Sequence, residues 1–247
     1  MRAGVLLAGA CLGGAALASG CSVPVVSPLV APLFSPMASK PAILFHEPFN
    51  QLDPSRWREI EVKGRTQFSI EDVDGNRVLK AYSQAHASIL VFSVRFNPDD
   101  YPWFSWRWRV DQVVEHEDLA TRPGSDAPAR VYVYFNTPGL PWQKRNLDYV
   151  WSSNTPIGAI MPSAYSKTSI LMVIDGGAQH LGQWRAMSRN LREDYKAAFP
   201  GAKGTPDVLA IGILSDADST LGVSSAYYDD FTVSREPVAP LNPAPKP

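Results

Sequence analysis

The feature that most constrains the fold is a two-residue alternation of apolar and polar side chains between residues 42 and 233. In segment 103–110 every second residue is apolar, which leaves Arg107 and Arg109 on the other face. This period is typical of strands that bury one face. Ten further segments have strand character, at 43–49, 67–72, 77–83, 88–96, 129–136, 147–151, 169–175, 182–187, 207–214 and 225–233.

One segment follows the helical period instead. Leu191, Tyr195 and Phe199 recur at every fourth position, and a Pro-Gly pair follows them. Asn190 and Glu193 have the spacing of a capping box at a helix start. Many short strands with a single short helix predict an all-β fold, namely a two-sheet antiparallel β-sandwich of jelly-roll type.

The first twenty residues have the three parts of a secretory signal. Arg2 is followed by the apolar run Val5–Leu17, which is shorter than the roughly 20 residues of a membrane span. Small residues then end at Cys21, as in a lipobox. We predict a signal peptide at 1–20 and a lipidated Cys21, with plain secretion as the alternative.

The rest of the chain divides by composition. Cys11 and Cys21 are the two cysteines, so the mature chain would keep one and form no disulfide. Ser22 follows Cys21 where inner-membrane retention usually needs Asp, which favours the outer membrane facing the periplasm. We predict a proline-rich tether at 21–41, one domain at 42–235 and a disordered tail at 236–247.

Charge and aromatic content narrow the class of partner. The formal net charge is −1 and the sequence has no basic stripe, which argues against nucleic acid and anionic membrane surfaces. Contact with a membrane is therefore expected through the lipid anchor only. Seven Trp, nine Tyr and ten Phe suit either a sandwich core or a surface that stacks on flat ligands.

Five ordered segments carry a resemblance to a known family. They read WFSWRWRV, ARVYVYF, SRNLREDYKAAF, SDADST and AYYDDFTV, starting at residues 103, 129, 188, 215 and 226. The chain resembles, from about Phe45 to Val233, the bacterial family called domain of unknown function 3047. That family implies no established activity. It is distantly similar to jelly-roll carbohydrate-binding modules, which commonly end in a strand like Tyr227–Phe231.

The chain departs from the family pattern at two places. Phe199-Pro200-Gly201 and a short insertion stand where the family usually has Phe-Gly after the helix. Ser125-Asp126, followed by Ala-Pro, stands where an acidic pair often precedes the Arg-Val-Tyr-Val strand. The second departure weakens a functional role for Asp126.

Five outward side chains form the first candidate ligand site. If strands 103–110 and 129–136 are neighbours, one sheet surface would hold Arg107, Arg109, Arg130, Tyr132 and Tyr134. Guanidinium groups bind carboxylates or sugar hydroxyls, and tyrosines stack on sugar rings. The alternative is that the arginines pair with acidic neighbours. Trp142, in a Pro-Gly-Leu-Pro-Trp loop, is a further candidate for stacking.

Two acidic groups are candidate cation sites. Asp216 and Asp218, with Thr220 nearby, offer oxygen ligands for calcium, although turn hydrogen bonding explains the same pattern. Asp229 shares an apparent apolar face with Phe231, so its carboxylate needs a partner. That partner is either a cation held jointly with Glu47 or a buried arginine.

The sequence therefore predicts an exported lipoprotein whose β-sandwich binds a glycan or another envelope ligand without catalysis. It predicts no cofactor, with a structural calcium ion as the alternative. One alternative is a polysaccharide hydrolase or lyase that uses carboxylates near Asp216 and Asp218. The other is an envelope scaffold that docks a second protein. Common hydrolase, zinc and phosphate-binding motifs do not occur.

Overall fold

Strands dominate the computed structural model, which describes residues 40, 42–140 and 143–238. Within these residues there are thirteen strands and one α-helix. In chain order they are β1 (Ile43–Glu47), β2 (Trp57–Lys63), β3 (Gln67–Val73), β4 (Asn76–Gln84), β5 (Ala87–Phe96), β6 (Trp103–Gln112), β7 (Ala129–Phe135), β8 (Asn146–Ser152), β9 (Ile160–Pro162), β10 (Ser169–Gly176), β11 (Arg185–Asn190), α1 (Leu191–Ala198), β12 (Val208–Leu214) and β13 (Val223–Ser234).

The strands form two sheets. Sheet A has the order β11-β6-β13-β4-β3, and β1 also pairs with β13. Sheet B has the order β2-β5-β12-β7-β8-β10-β9. The predicted two-sheet sandwich of jelly-roll type with one short helix is confirmed. One pair departs from the antiparallel expectation, because β8 and β10 run parallel.

An aromatic core lies between the sheets. Trp106 and Trp108 of β6 are fully buried, as the alternation predicts. The Trp106 ring lies edge-on to Trp108, with ring centroids 5.6 Å apart, and 5.2 Å from Tyr149 of β8. Because β6 belongs to sheet A and β8 to sheet B, these contacts join the two sheets.

The largest differences from the sequence prediction are two strands that were not predicted and one that is shifted. β2 was not predicted because it is an edge strand in which Trp57 is buried while Ile60 and Val62 are exposed. β9 has three residues, too few for a period to be visible. β11 begins at Arg185, three residues later than predicted.

The prediction that strands 103–110 and 129–136 are neighbours is wrong. β6 lies between β11 and β13 in sheet A, whereas β7 lies between β12 and β8 in sheet B. The predicted ligand residues therefore lie on the outer faces of two different sheets. Sheet A carries Arg107 and Arg109, and sheet B carries Arg130, Tyr132 and Tyr134. Alternation identifies the residues that share a face of one strand, but it does not say which strands pair.

β13 contains a bulge at Asp229 and Asp230. This strand pairs with β4 as far as Tyr228 and with β1 from Phe231 onward. Asp230 adopts a left-handed backbone with φ of 55°, and the register with β6 shifts here. The extra residue resets the alternation. Tyr228 and Phe231 both join the core, so the prediction that Asp229 shares a face with Phe231 is wrong.

Arg107 neutralises the acidic bulge. Its guanidinium is ion-paired with Asp229, and its Nε lies 3.0 Å from Oδ2 of Asp230. The ring of Trp184 lies 4.7 Å from the guanidinium carbon, and Arg107 is 2% exposed. Burial raises the pKa of Asp229 to about 6, and Asp230 adds to this while Arg107 opposes it.

The buried arginine partner is thus the alternative that the structure supports for Asp229. Glu47 has different partners, because its Oε1 accepts from the backbone N–H of Phe49 and its Oε2 from the indole N–H of Trp57. The structure gives Glu47 and Asp229 separate protein contacts, and a cation held jointly by the two stays a prediction.

We expect Arg107→Met to lower the free energy of unfolding by about 3–5 kcal/mol, because two buried carboxylates lose their cation. Chemical denaturation of the purified domain measures this change. Arg58→Met, on the exposed face of β2, is the control for loss of charge. The account of the bulge is contradicted if the Arg107 variant stays within about 0.5 kcal/mol of the wild type.

Candidate functional site

A buried ionic network covers part of the outer face of sheet B. Arg130 of β7 points its Nη1 to Oδ2 of Asp148 at 3.3 Å and its Nε to Oδ1 of Asp216 at 3.3 Å. Its Nη2 donates to the carbonyl of Ser125. Arg130 is 3% exposed. The network links β7, β8, the segment before β7 and the β12–β13 loop.

Three carboxylates meet beside this network. Asp126, Asp216 and Asp218 each offer an oxygen within 4.8 Å of the others. Asp126 accepts from the backbone N–H groups of Ser219 and Thr220, so it orders the β12–β13 loop. The family departure at Asp126 had weakened a functional role for this residue, and the structure places it within the cluster.

The geometry meets one condition for a hard cation, namely several oxygen ligands within reach of one ion. Other groups already compensate these oxygens, however. Asp216 contacts Arg130 and accepts from the backbone N–H of Ala127, and Asp218 lies 3.8 Å from Nζ of Lys63. The calcium site at Asp216 and Asp218 stays a prediction.

Burial perturbs the acids of this network. It raises the pKa of Asp216 to about 7, and the nearby charges of Asp126 and Asp218 add to the shift while Arg130 opposes it. It raises the pKa of Asp148 to about 6, again against the effect of Arg130. Arg130 therefore offsets only part of the effect of burial on these two carboxyl groups.

The predicted ligand residues are mostly engaged within the protein. Arg107 and Arg130 are buried in the two networks described above. Arg109 is paired with Asp111, and its guanidinium lies 5.3 Å from the Tyr227 ring. Tyr132 and Tyr134 stack on each other with ring centroids 5.7 Å apart. These five residues do not form one ligand surface, and Trp142 lies outside the described residues.

Two adjoining cavities lie at another place, beside helix α1. Their volumes are about 580 Å³ and about 470 Å³. Tyr195, Ala202, Lys203 and Gly204 line both, so the two cavities share a wall or an opening formed by these residues. We call the two cavities together the α1 groove. Its other lining residues are Asp99, Thr137, Pro138, Gln143, Arg145, Thr168, Asn190, Arg192, Glu193, Lys196, Thr205 and Pro206.

The helix that forms one wall is set by its sequence. Asn190 accepts from the backbone N–H groups of Arg192 and Glu193, which confirms its predicted capping role. Leu191 and Tyr195 are buried, and the Tyr195 ring packs 4.7 Å from Phe135. The chain turns at Gly201, which has φ of 86°, after the helix ends.

Asp194 fixes the helix to both sheets. It accepts from the hydroxyl of Tyr149 in β8 at 2.8 Å and from Nε of Arg189 in β11 at 2.8 Å. Because β8 and β11 belong to different sheets, this carboxylate ties α1 across the end of the sandwich. The groove wall is therefore rigidly attached to the core.

Arg145 precedes β8 and lines the groove next to α1. Its guanidinium carbon lies 4.7 Å from the Phe199 ring, and its Nη1 donates to the hydroxyl of Tyr195 at 3.1 Å. Among the described residues, no carboxylate forms an ion pair with Arg145 or with Lys203. The groove thus contains cations that the protein does not neutralise.

Sequence reasoning missed Arg145 and Lys203, since neither lies in a recognisable motif. Two signals lay near the groove, namely the predicted helix with the insertion after it and the Pro-Gly-Leu-Pro-Trp loop at 138–142, which was singled out for Trp142. Pro138 of that loop lines the groove, as do the flanking residues Thr137 and Gln143.

We expect the free energy of unfolding to depend on Asp148 between about pH 4 and pH 6. Its pKa in the folded state lies above the ordinary 3.8, so the folded protein binds this proton more tightly and loses that stabilisation as the pH rises. Asp148→Asn should remove roughly 2–3 kcal/mol of this dependence. Thermal unfolding at stepped pH measures it, with exposed Glu115→Gln as the control. An unchanged pH profile in the Asp148 variant would contradict the assignment.

The described residues include no helix with the length and apolar character that a membrane crossing requires. No curated protein matches the sequence. Similar solved structures include the enzymatically active domain of bacteriophage CBA120 tailspike protein 4 (8% identity, TM-score 0.35). The match covers 73% of this chain and 19% of the tailspike chain, so this protein spans about a fifth of that structure.

Two further similar structures match in most of their length. The family 11 xylanase from Neocallimastix patriciarum has 10% identity and a TM-score of 0.38, with 76% of this chain and 94% of the xylanase covered. The mannan-recognising carbohydrate-binding module TmCBM27 has 12% identity and a TM-score of 0.30, with 77% of this chain and 95% of the module covered.

The family model described as "Protein of unknown function (DUF3047)" matches residues 55–232, which is most of the chain. The chain belongs to this family.

Proposed function

We propose that this protein binds a glycan of the cell envelope in the α1 groove without cleaving it. The observation that carries the proposal is the groove itself, an open cavity with a polar lining held rigidly at one end of the sandwich. It replaces the outer sheet face that the sequence had suggested, because Arg107 and Arg130 are buried in ion pairs.

The size and lining of the groove fit a sugar. The two cavities, about 580 Å³ and about 470 Å³, fall in the range of ligand sites. Amide and hydroxyl side chains line them, including Asn190, Gln143 and Thr168. The side-chain oxygen of each has a hydrogen-bond partner within the protein, and the remaining donors and acceptors of these groups can bind the hydroxyls of a sugar.

The position of the acids favours binding over hydrolysis. A glycosidase needs two carboxylates on either side of the scissile bond. Asp216 is 5% exposed and, like Asp218, does not line the groove. Of the groove's own acids, Asp99 lies 3.0 Å from Nε of Arg192 in an ion pair. The described lining thus offers no free pair of carboxylates.

The location in the envelope is part of the same proposal and rests on the sequence around Cys21. We expect Cys21→Ser to move the protein from the membrane fraction to the soluble periplasmic fraction and to abolish labelling by a radioactive fatty acid. Fractionation of cells that express either form measures this. Equal membrane association of both forms would contradict a lipid anchor.

The binding test uses thermal unfolding of the tetherless domain, residues 41–236, against a panel of envelope and extracellular polysaccharides. A ligand at 100 times its Kd raises the free energy of unfolding by about 2.7 kcal/mol. In a domain of this size that is a rise in Tm of roughly 5–10 °C. We expect such a rise with at least one glycan, and no released product by chromatography.

Gly204→Trp locates the site. A Cβ added at Gly204 meets no atom within 4 Å, so the indole can fill groove space without straining the fold. The matched control is Ala178→Trp, since Ala178 and the groove residue Thr168 flank opposite ends of β10, about 26 Å apart. The proposal fails if both variants keep the ligand-induced rise in Tm.

A further inference from the structure

The charges of the α1 groove are unevenly distributed along its length. The half that includes Asp99 and Glu193 carries charges of both signs, because Arg192 and Lys196 line it as well. The half beside β8 includes Arg145 and Lys203 and no acidic residue among its described lining. One end of the groove is therefore positively charged.

Arg145 is held in place without using its charge. Its guanidinium packs against the rings of Phe199 and Tyr195 and bonds to the Tyr195 hydroxyl, a neutral acceptor. No described residue accepts from its Nε or Nη2. Stacking on aromatic rings fixes the plane of a guanidinium and leaves its edge free. The Arg145 side chain is thus already ordered in the free protein.

A planar carboxylate is the group that such an edge recognises best, because two parallel N–H donors match its two oxygens. Lys203, which lines both halves, adds a second positive charge that tolerates a range of geometries. Hydroxyls and amides along the rest of the groove suit the neutral part of a sugar.

From these contacts we infer that the α1 groove selects acidic glycans, with the carboxylate of a uronic acid bound between Arg145 and Lys203. This inference rests on the proposed glycan-binding function and names the class of sugar. The polar remainder of the groove binds the sugar hydroxyls, while the basic half discriminates a uronate from its neutral counterpart.

The experiment compares tetragalacturonate with its methyl ester, which keeps the sugar and removes the charge. Calorimetric titration of the wild-type domain should give at least tenfold tighter binding of the acid. Raising NaCl from about 0.1 M to about 1 M shortens the screening length from about 10 Å to about 3 Å. The affinity for the acid should then fall while that for the ester stays constant.

Variants assign the preference to the two cations. Arg145→Gln and Lys203→Gln should each weaken binding of the acid roughly 10- to 100-fold and leave the ester unaffected. Arg145→Lys should recover part of the loss, since it restores the charge without the two-donor edge. Arg58→Gln is the control for net charge. The wild-type comparison of acid and ester stands even where an Arg145 variant does not fold.

Three results overturn parts of the account separately. Equal binding of acid and ester, both lost in Gly204→Trp, would overturn the acidic preference and leave the glycan function intact. A preference that survives both cation variants would overturn the assignment to Arg145 and Lys203. Arg145-dependent binding of inorganic phosphate, with no binding of any oligosaccharide, would overturn the glycan function.

Discussion

A buried arginine on the outer face of each sheet is the interaction on which this structure depends. Arg107 lies under Trp184 and compensates Asp229 and Asp230, and Arg130 lies between Asp148 and Asp216. An ionised carboxylate cannot be buried alone. The first pair makes possible the bulge through which β13 exchanges β4 for β1. The second connects the β12–β13 loop to β7 and β8.

Because Arg107 and Arg130 are bound in these ion pairs, a ligand would have to bind at another surface. Arg107 and Arg130, which the sequence suggested as ligand residues, are buried in ion pairs within the protein. The described cations of the α1 groove without an ion pair include Arg145, held by aromatic rings, and Lys203, in the turn after α1. They lie together only because Asp194 and the Tyr195 ring fix the helix across the open end of the sandwich. The proposed ligand site thus lies where two sheets, a helix and a loop meet.

The sequence predicted eleven of the thirteen described strands, the helix with its Asn190 cap and the packing role of Trp106 and Trp108, because local periodicity carries that information. It did not predict pairing, since alternation in β6 and β7 is the same whether they are neighbours or not. The bulge at Asp229 was not predicted either, because one extra residue exchanges the buried and exposed positions of the alternation that follows. The groove residues Arg145 and Lys203 lie 58 positions apart and line the same cavity only through tertiary structure.

The most direct measurement is an NMR titration of the domain with tetragalacturonate, observing backbone amides and arginine side-chain Nε–H groups. The account predicts that Arg145 Nε–H and the amides of Thr168 and Lys203 shift together and saturate at one affinity. The Nε–H groups of Arg107 and Arg130, which are buried in ion pairs, should stay unchanged. Saturable shifts that centre on Trp184 or Tyr227 and leave Arg145 unaffected would contradict the account.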